Sequence, residues 1–182
     1  ITYFHQGQDA MMAQKLGFYG FEPATDRALT TELLGILESM ETDYTLFFRG
    51  LSLLDTNKDL LEKRLPAFLE KALYAPDQIT PAYLSRFKAW TDAYSKRLAL
   101  DPISHEQRKE QMDRVNPKYV LRNYLAQTAI DRAEKNDFSG VLELLDVMRR
   151  PYDEQPDREI FAEKRPEWAR HKPGCSMLSC SS

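Results

Sequence analysis

Apolar side chains recur at helical spacing through most of this chain. Leu29, Leu33, Leu37 and Met40 are separated by four, four and three positions, which places them on one face of a helix, with Leu34 and Ile36 widening the stripe and Asp26 preceding it as a start signal. Thr42 or Asp43 restarts a segment carrying Leu46, Phe47, Leu51 and Leu54. Asn57 opens another through Leu60, Leu61, Leu65 and Phe68, which Pro66 splits or kinks. Thr80-Pro81 is an N-cap followed by proline at the first helical position, and it leads Tyr83, Phe87, Trp90, Tyr94 and Leu98 along a single face. Ser104 and Gln107 have capping-box spacing for a charged helix that stops before Asn116-Pro117, and the same pair is expected to cap and start the next helix. That helix carries Val120, Leu121, Tyr124, Leu125, Ala129 and Ile130, a band too wide for a surface helix. Val141 to Met148 is as dense, so both are expected to be central.

No run of four to eight residues alternates apolar and polar positions with β-branched enrichment, so the fold class predicted is all-α. After Arg150, Pro151, Pro156, Pro166 and Pro173 follow too closely for a helix, which predicts an extended segment with short turns, anchored by Phe161 and Trp168. The partition expected is a helical domain over 1–150 and an irregular tail over 151–182.

Composition narrows the function classes. With 182 residues, 42% apolar and 29% charged, the chain is large enough to build a core without disulfide staples. Lys plus Arg number 25 against 28 Asp plus Glu, a formal net charge of -3, which provides no global positive field for nucleic acid. The longest charge-free stretches fall far short of a membrane span, and no signal-like segment opens the chain, so neither nucleic acid nor membrane is an expected partner. The first residue is Ile1 rather than Met, which points to processing or truncation.

Most apparent catalytic motifs have a structural reading. His105-Glu106 begins a zinc-protease-like H-E-x-x-H, but Lys109 stands where the second ligand is required. Asp137-Phe138-Ser139-Gly140 resembles the metal-binding D-F-G of kinases, yet it immediately precedes an apolar helix, where Asp137 or Ser139 serves as a cap. Glu38, Glu41 and Asp43 form an acidic cluster that a solvated helix end explains at least as well as a metal site. Neither a phosphate-cradling glycine loop nor a nucleophile elbow is present, so the expected set of catalytic, cofactor-binding and metal-binding residues in this chain is empty.

Two places carry more information. Asn116-Pro117-Lys118-Tyr119-Val120-Leu121-Arg122-Asn123-Tyr124-Leu125-Ala126-Gln127 interleaves polar and aromatic side chains within an apolar band. Buried polar groups need partners, and Arg122, Asn123 and Gln127 are expected to anchor the adjoining C-terminal segment in preference to a ligand. The second is the terminus, where both cysteines of the chain, Cys175 and Cys180, lie within the last eight residues; a terminal position argues for exposure over burial.

The run at 116–127 resembles the selenoprotein O family of protein adenylyltransferases, which are pseudokinase-like. So do Lys15-Leu16-Gly17, Asp43-Tyr44-Thr45, Phe47-Phe48-Arg49, Leu51-Ser52, Ala129-Ile130, Ala133-Glu134, Pro151-Tyr152-Asp153-Glu154-Gln155-Pro156, Trp168-Ala169 and Ser179-Cys180-Ser181-Ser182. The resemblance covers nearly the whole chain in order. It implies that the chain is the C-terminal portion of a longer polypeptide, made of late C-lobe helices of a kinase-like fold and the tail beyond them. It implies transfer of AMP from ATP to Ser, Thr or Tyr hydroxyls of protein substrates, with Mg or Mn. The nucleotide and metal sites then lie upstream, in an N-terminal catalytic region that is this segment's principal partner. The setting implied is cytoplasmic for a bacterial member and mitochondrial for a eukaryotic one. The position before the final Ser-Ser, selenocysteine or cysteine in the family, maps to Cys180 and implies a redox-active thiol. Cys175 departs from that pattern and raises a local Cys175–Cys180 disulfide that competes with a bridge to an upstream cysteine. The alternative from a different class is a stand-alone helical interaction module whose tail binds a partner or metal through Cys175, Cys180 and His171.

Overall fold

In a computed structural model of the chain, residues 2–54, 65–172 and 175 are described. They form eight α-helices and three 3₁₀ turns, with no strand among them, which establishes the all-α class. Two compact units divide the chain, Ile1–Asn116 and Pro117–Ser182, so the boundary expected at residue 150 falls within the second.

The first unit holds α1 (Thr2–Leu16), α2 (Pro23–Glu38), α3 (Tyr44–Leu51), α4 (Ala67–Ala72), α5 (Pro81–Leu98) and α6 (His105–Val115). Its helices pack in pairs, α2 on α5, α3 on α4 and α1 on α6. Three of the expected caps are formed. The Thr80 hydroxyl accepts from the Tyr83 N–H at 3.1 Å, the Asp43 carboxylate from the Leu46 N–H at 3.0 Å, and Ser104 and Gln107 complete a reciprocal capping box at 3.2 and 2.9 Å. The face of α5 predicted from spacing is the buried one: Tyr83, Phe87, Trp90, Tyr94 and Leu98 all enter the core. Trp90 stacks on Tyr94 with ring centroids 4.9 Å apart, and its indole N–H donates to the Leu29 carbonyl at 2.9 Å, so its polar edge is satisfied inside an apolar setting. At Gly50 of α3 an added Cβ would sit 2.5 Å from the Phe68 Cβ, and this close approach is what lets α3 and α4 touch.

Several expectations are corrected. Asp26 does not precede α2 but lies in its first turn; Glu22 occupies the cap position, and Asp26 is fully buried against Arg97. Helix α1 has no counterpart in the predicted elements, because its buried side chains Met12, Ala13 and Leu16 do not make a regular stripe. Phe68 lies in α4, with Pro66 just before the helix, while the helix start expected at Asn57 and its positions Leu60 and Leu61 lie outside the described residues.

The second unit contains α7 (Asn123–Ala133), α8 (Ser139–Met148) and a C-terminal wrap with 3₁₀ turns at Glu159–Ala162 and Glu167–Arg170. Asn116-Pro117 does not start α7. The N–H groups of Lys118 and Tyr119 both donate to the Pro151 carbonyl, at 2.8 and 3.0 Å, which holds this stretch extended until Arg122 caps the helix. The density of apolar residues predicts two helices buried all round, but Ile130 of α7 and Val141, Leu142 and Leu145 of α8 are exposed, as is Leu121 just before α7. Trp168 is also exposed, edge-on to Tyr124 and with the Lys172 ammonium 5.6 Å from its ring centroid, while the expected anchor Phe161 is half-buried and seats the wrap together with Ala162 and Ala169.

Candidate functional site

The signature residues gather into two clusters, one in each unit. In the first, Lys15 at the end of α1 and Asn116 after α6 exchange hydrogen bonds: the ammonium donates to Asn116 Oδ1, and Asn116 Nδ2 donates to the Lys15 carbonyl, each at 3.0 Å. The same ammonium sits 4.7 Å from the centroid of the Phe48 ring, and burial pushes its pKa down from the ordinary lysine value. Arg49 of α3 donates to the carbonyls of Asp113 and Asn116 at 2.8 and 3.1 Å, and the Ser52 hydroxyl donates to the Asp113 carboxylate at 2.7 Å. Lys109 completes the cluster by pairing with Asp113 at 2.5 Å, so the lysine in the ligand position of the apparent zinc motif has a structural partner.

Lys15-Leu16-Gly17 closes this cluster because its backbone is held on every side. The Tyr94 hydroxyl donates to the Leu16 carbonyl at 2.7 Å and the buried Arg108 to the Gly17 carbonyl at 3.2 Å. Gly17 has φ +71°, and a Cβ there would stand 2.7 Å from Arg108 Cγ and Met112 Sδ, so both conformation and space exclude a side chain.

In the second unit Lys118, Tyr119 and Tyr124 bind the C-terminal wrap, a role the sequence pattern does not assign to them. Lys118 pairs with Glu154 and Glu159 at 2.5 and 2.6 Å; burial opposes its charge, but the two carboxylates prevail and its pKa is raised. The buried Tyr119 hydroxyl donates to the Gln155 carbonyl at 3.3 Å, and Gln155 Nε2 donates to the carbonyls of Val147 and Arg150 at 3.1 and 2.8 Å. Farther along, the Tyr124 hydroxyl donates to the Glu163 carbonyl at 3.1 Å, and Asp131 pairs with Lys172. Arg122 is buried at the cap of α7, Gln127 donates within α7 to Asp131 at 2.8 Å, and Asn123 Nδ2 is buried without a hydrogen-bond partner among the described residues. Gln155 and Asp113 are hubs that periodicity does not reveal; only their place within or beside signature runs marks them.

A groove of about 550 Å³ opens beside α7, lined by Tyr124, Arg132, Arg158, Ile160, Phe161 and Trp168 among others. Arg132 pairs with Asp137 and Glu143, and Asp137 accepts from both the N–H and the hydroxyl of Ser139, so the D-F-S-G segment is a helix-start turn, but Phe138 holds the cap position expected for Asp137 or Ser139, with Asp137 one residue before it and Ser139 the first residue of α8. Cys175 is a free thiol buried with Tyr124, Leu125, Ala129, Leu144 and Ala169, where a near-terminal position predicts exposure. Cys180 lies outside the described residues.

The family model described as protein adenylyltransferase SelO matches residues 2–149, which take in the whole first cluster and the start of the second. The chain belongs to the SelO family. It is 49% identical over 190 residues to the protein nucleotidyltransferase YdiU of Rhodopirellula baltica, a match that covers all of this chain and 35% of that protein. The YdiU of Tolumonas auensis is 46% identical, covering 98% of this chain and 33% of its own length. The YdiU of Xanthomonas axonopodis pv. citri is 50% identical, covering 86% of the chain and 29% of its own length. This SelO-family chain therefore spans about a third of the length of the curated relatives it matches. Among the described residues, no helix is long and apolar enough to cross a membrane.

Proposed function

We propose that this chain is the C-terminal portion of a protein adenylyltransferase and that it braces a nucleotide site carried by the rest of the polypeptide. The observation that carries the reading is the alignment of the whole chain, at 49% identity, with 35% of a protein nucleotidyltransferase. The reaction is attack of a Ser, Thr or Tyr hydroxyl oxygen of a protein substrate on the α-phosphorus of ATP. The bond from that phosphorus to the bridging oxygen breaks, pyrophosphate leaves, and the hydroxyl proton passes to a base. A bound Mg or Mn ion would supply charge neutralisation of the triphosphate. The described residues do not fit that ion, since no three His, Cys, Asp or Glu side chains among them are grouped to hold a metal, and no step is assigned to them.

The contribution of this chain is then mechanical. The cluster of Lys15, Arg49, Asp113 and Asn116 fixes the ends of three helices, and the contacts of Lys118 with Glu154 and Glu159 and of Tyr119 with Gln155 fix the wrap that leads to the terminal cysteines. Cys180 is proposed as a redox thiol that forms a disulfide with Cys175 or with a cysteine elsewhere in the polypeptide; two thiols give up two protons and two electrons to a peroxide, which is reduced to water. A stand-alone module is not favoured, because the relatives that match the chain are about three times its length.

Calorimetric titration with ATP and magnesium tests the reading. The complete polypeptide is expected to give a saturable heat and the 182-residue chain none. Micromolar binding by the chain alone would contradict it.

A further inference from the structure

Helix α8 is apolar on two sides. One side, with Leu144 and Val147, is buried within its own unit. The other carries Phe138, Val141, Leu142 and Leu145, at positions i, i+3, i+4 and i+7, which form a continuous stripe. These four side chains are 59, 43, 64 and 50% exposed. Glu143 and Asp146 form a polar strip along one edge of α8, but the contact made through Leu144 and Val147 leaves the second apolar stripe in water, and a contiguous exposed stripe of this kind marks an interaction surface.

We propose that this stripe is the docking face for the part of the same polypeptide that lies outside this chain, namely an apolar surface of its nucleotide-binding region. The inference rests on the reading of the chain as one portion of a longer adenylyltransferase. Two observations select this occupant over a second copy of the chain. About two thirds of the length of the matched relatives is unaccounted for here, and the family match runs through all of α8, so the stripe belongs to the shared part of those longer proteins. Four residues exposed to between 43 and 64% offer far fewer than the roughly 20 to 30 residues that each partner contributes to a stable interface between separate molecules. A patch of that size suffices when the partner is covalently attached, because attachment replaces association by an intramolecular step at high effective concentration.

The test uses the complete polypeptide with the photo-reactive residue benzoylphenylalanine installed at Leu142, prepared as a mixture of isotopically light and heavy protein. After irradiation, the expected product joins α8 to a peptide from outside this chain, with both halves carrying the same isotope label. A light–heavy product identifies a second copy and overturns the proposal. A cross-link to residues 1–116, or none, overturns it as well. Hydroxyl-radical footprinting of the unsubstituted polypeptide gives the same answer should the photo-reactive variant not fold. Leu142 and Leu145 are expected to react at least fivefold more slowly than Leu100, which is 79% exposed, and at a rate near that of the fully buried Leu33. Reaction at the rate of Leu100 overturns the proposal. Neither experiment depends on AMP transfer: a polypeptide that cross-links as expected but transfers no AMP refutes the proposed function and leaves the docking face standing.

Discussion

Lys15 and Asn116, 101 positions apart in sequence, each donate one hydrogen bond to the other, side chain to side chain in one direction and side chain to backbone in the other. This pair closes the first unit on itself, since one partner ends α1 and the other follows α6. Asn116→Ala removes a buried donor and a buried acceptor and leaves both Lys15 groups without that partner. It is expected to lower stability by about 2 to 3 kcal/mol. Urea unfolding of the variant checks this through a lower midpoint at unchanged slope.

Asp26 and Arg97 are the second long-range tie. The carboxylate is fully buried and accepts from the guanidinium at 2.7 and 3.1 Å, and Arg97 also reaches Asp101 at 2.8 Å. The hydrogen bond from Arg97 to Asp26 is the largest of the influences that raise the arginine pKa. Removing one partner of a buried pair strands the other, so Asp26→Ala is expected to destabilise by about 3 to 5 kcal/mol. Thermal unfolding followed by circular dichroism measures it.

Tyr83 and Tyr94 share a helix face but differ in what their hydroxyls do. The Tyr94 hydroxyl donates to Leu16, whereas that of Tyr83 is buried without a partner among the described residues. At neutral pH, Tyr94→Phe is expected to cost about 1 kcal/mol and Tyr83→Phe less than about 0.5 kcal/mol.

Alkaline pH separates Tyr83 further. Burial pushes its pKa up to about 12, while tyrosine in the unfolded chain titrates near 10. The folded value lies above the unfolded one, so the contribution is fully present below about pH 10 and is lost as pH rises toward about 12, where the unfolded chain ionises first. The melting temperature of the unsubstituted chain should therefore fall more steeply across that window than that of Tyr83→Phe. Part of the slope remains in the variant, because burial raises Tyr94 as well.

Gln155 is the hook of the C-terminal wrap. Gln155→Ala removes its two side-chain hydrogen bonds, to the Val147 carbonyl in the last turn of α8 and to the Arg150 carbonyl just after it. Loss of about 1 to 3 kcal/mol is expected to be felt locally, as faster tryptic cleavage at Arg158 and Lys164 with little change at Arg86. Equal acceleration at all three sites would show that the wrap does not open as a separate segment.

Legibility in the sequence followed the range of the interactions. Caps and helix faces are local, so Thr80, Asp43, Ser104 with Gln107, and the Tyr83–Leu98 stripe were readable from spacing alone. The start of α7 was not, because Pro117 looks like a helix-start residue until the Pro151 carbonyl, far along the chain, takes up the N–H groups that follow it. Asp26 resembled a cap for the same reason, its true partner Arg97 being 71 positions away. The exposure on α8 was not legible, because the density of apolar residues does not say which of them face their own unit: Leu144 and Val147 are buried while Val141, Leu142 and Leu145 are exposed. In the candidate site, the signature runs marked Lys15, Arg49 and Asn116, but no local pattern could show that they meet.

The central claim, that this SelO-family chain belongs to a protein adenylyltransferase whose nucleotide site lies outside it, is tested most directly by label transfer. The complete polypeptide and the isolated chain are each incubated with a protein substrate, magnesium and ATP labelled at either the α- or the γ-phosphorus, and covalently bound label is read after denaturing electrophoresis. The account predicts that α-label is retained on protein only with the complete polypeptide and that γ-label is never retained. Retention of γ-label, or transfer of α-label by the isolated chain, would contradict it.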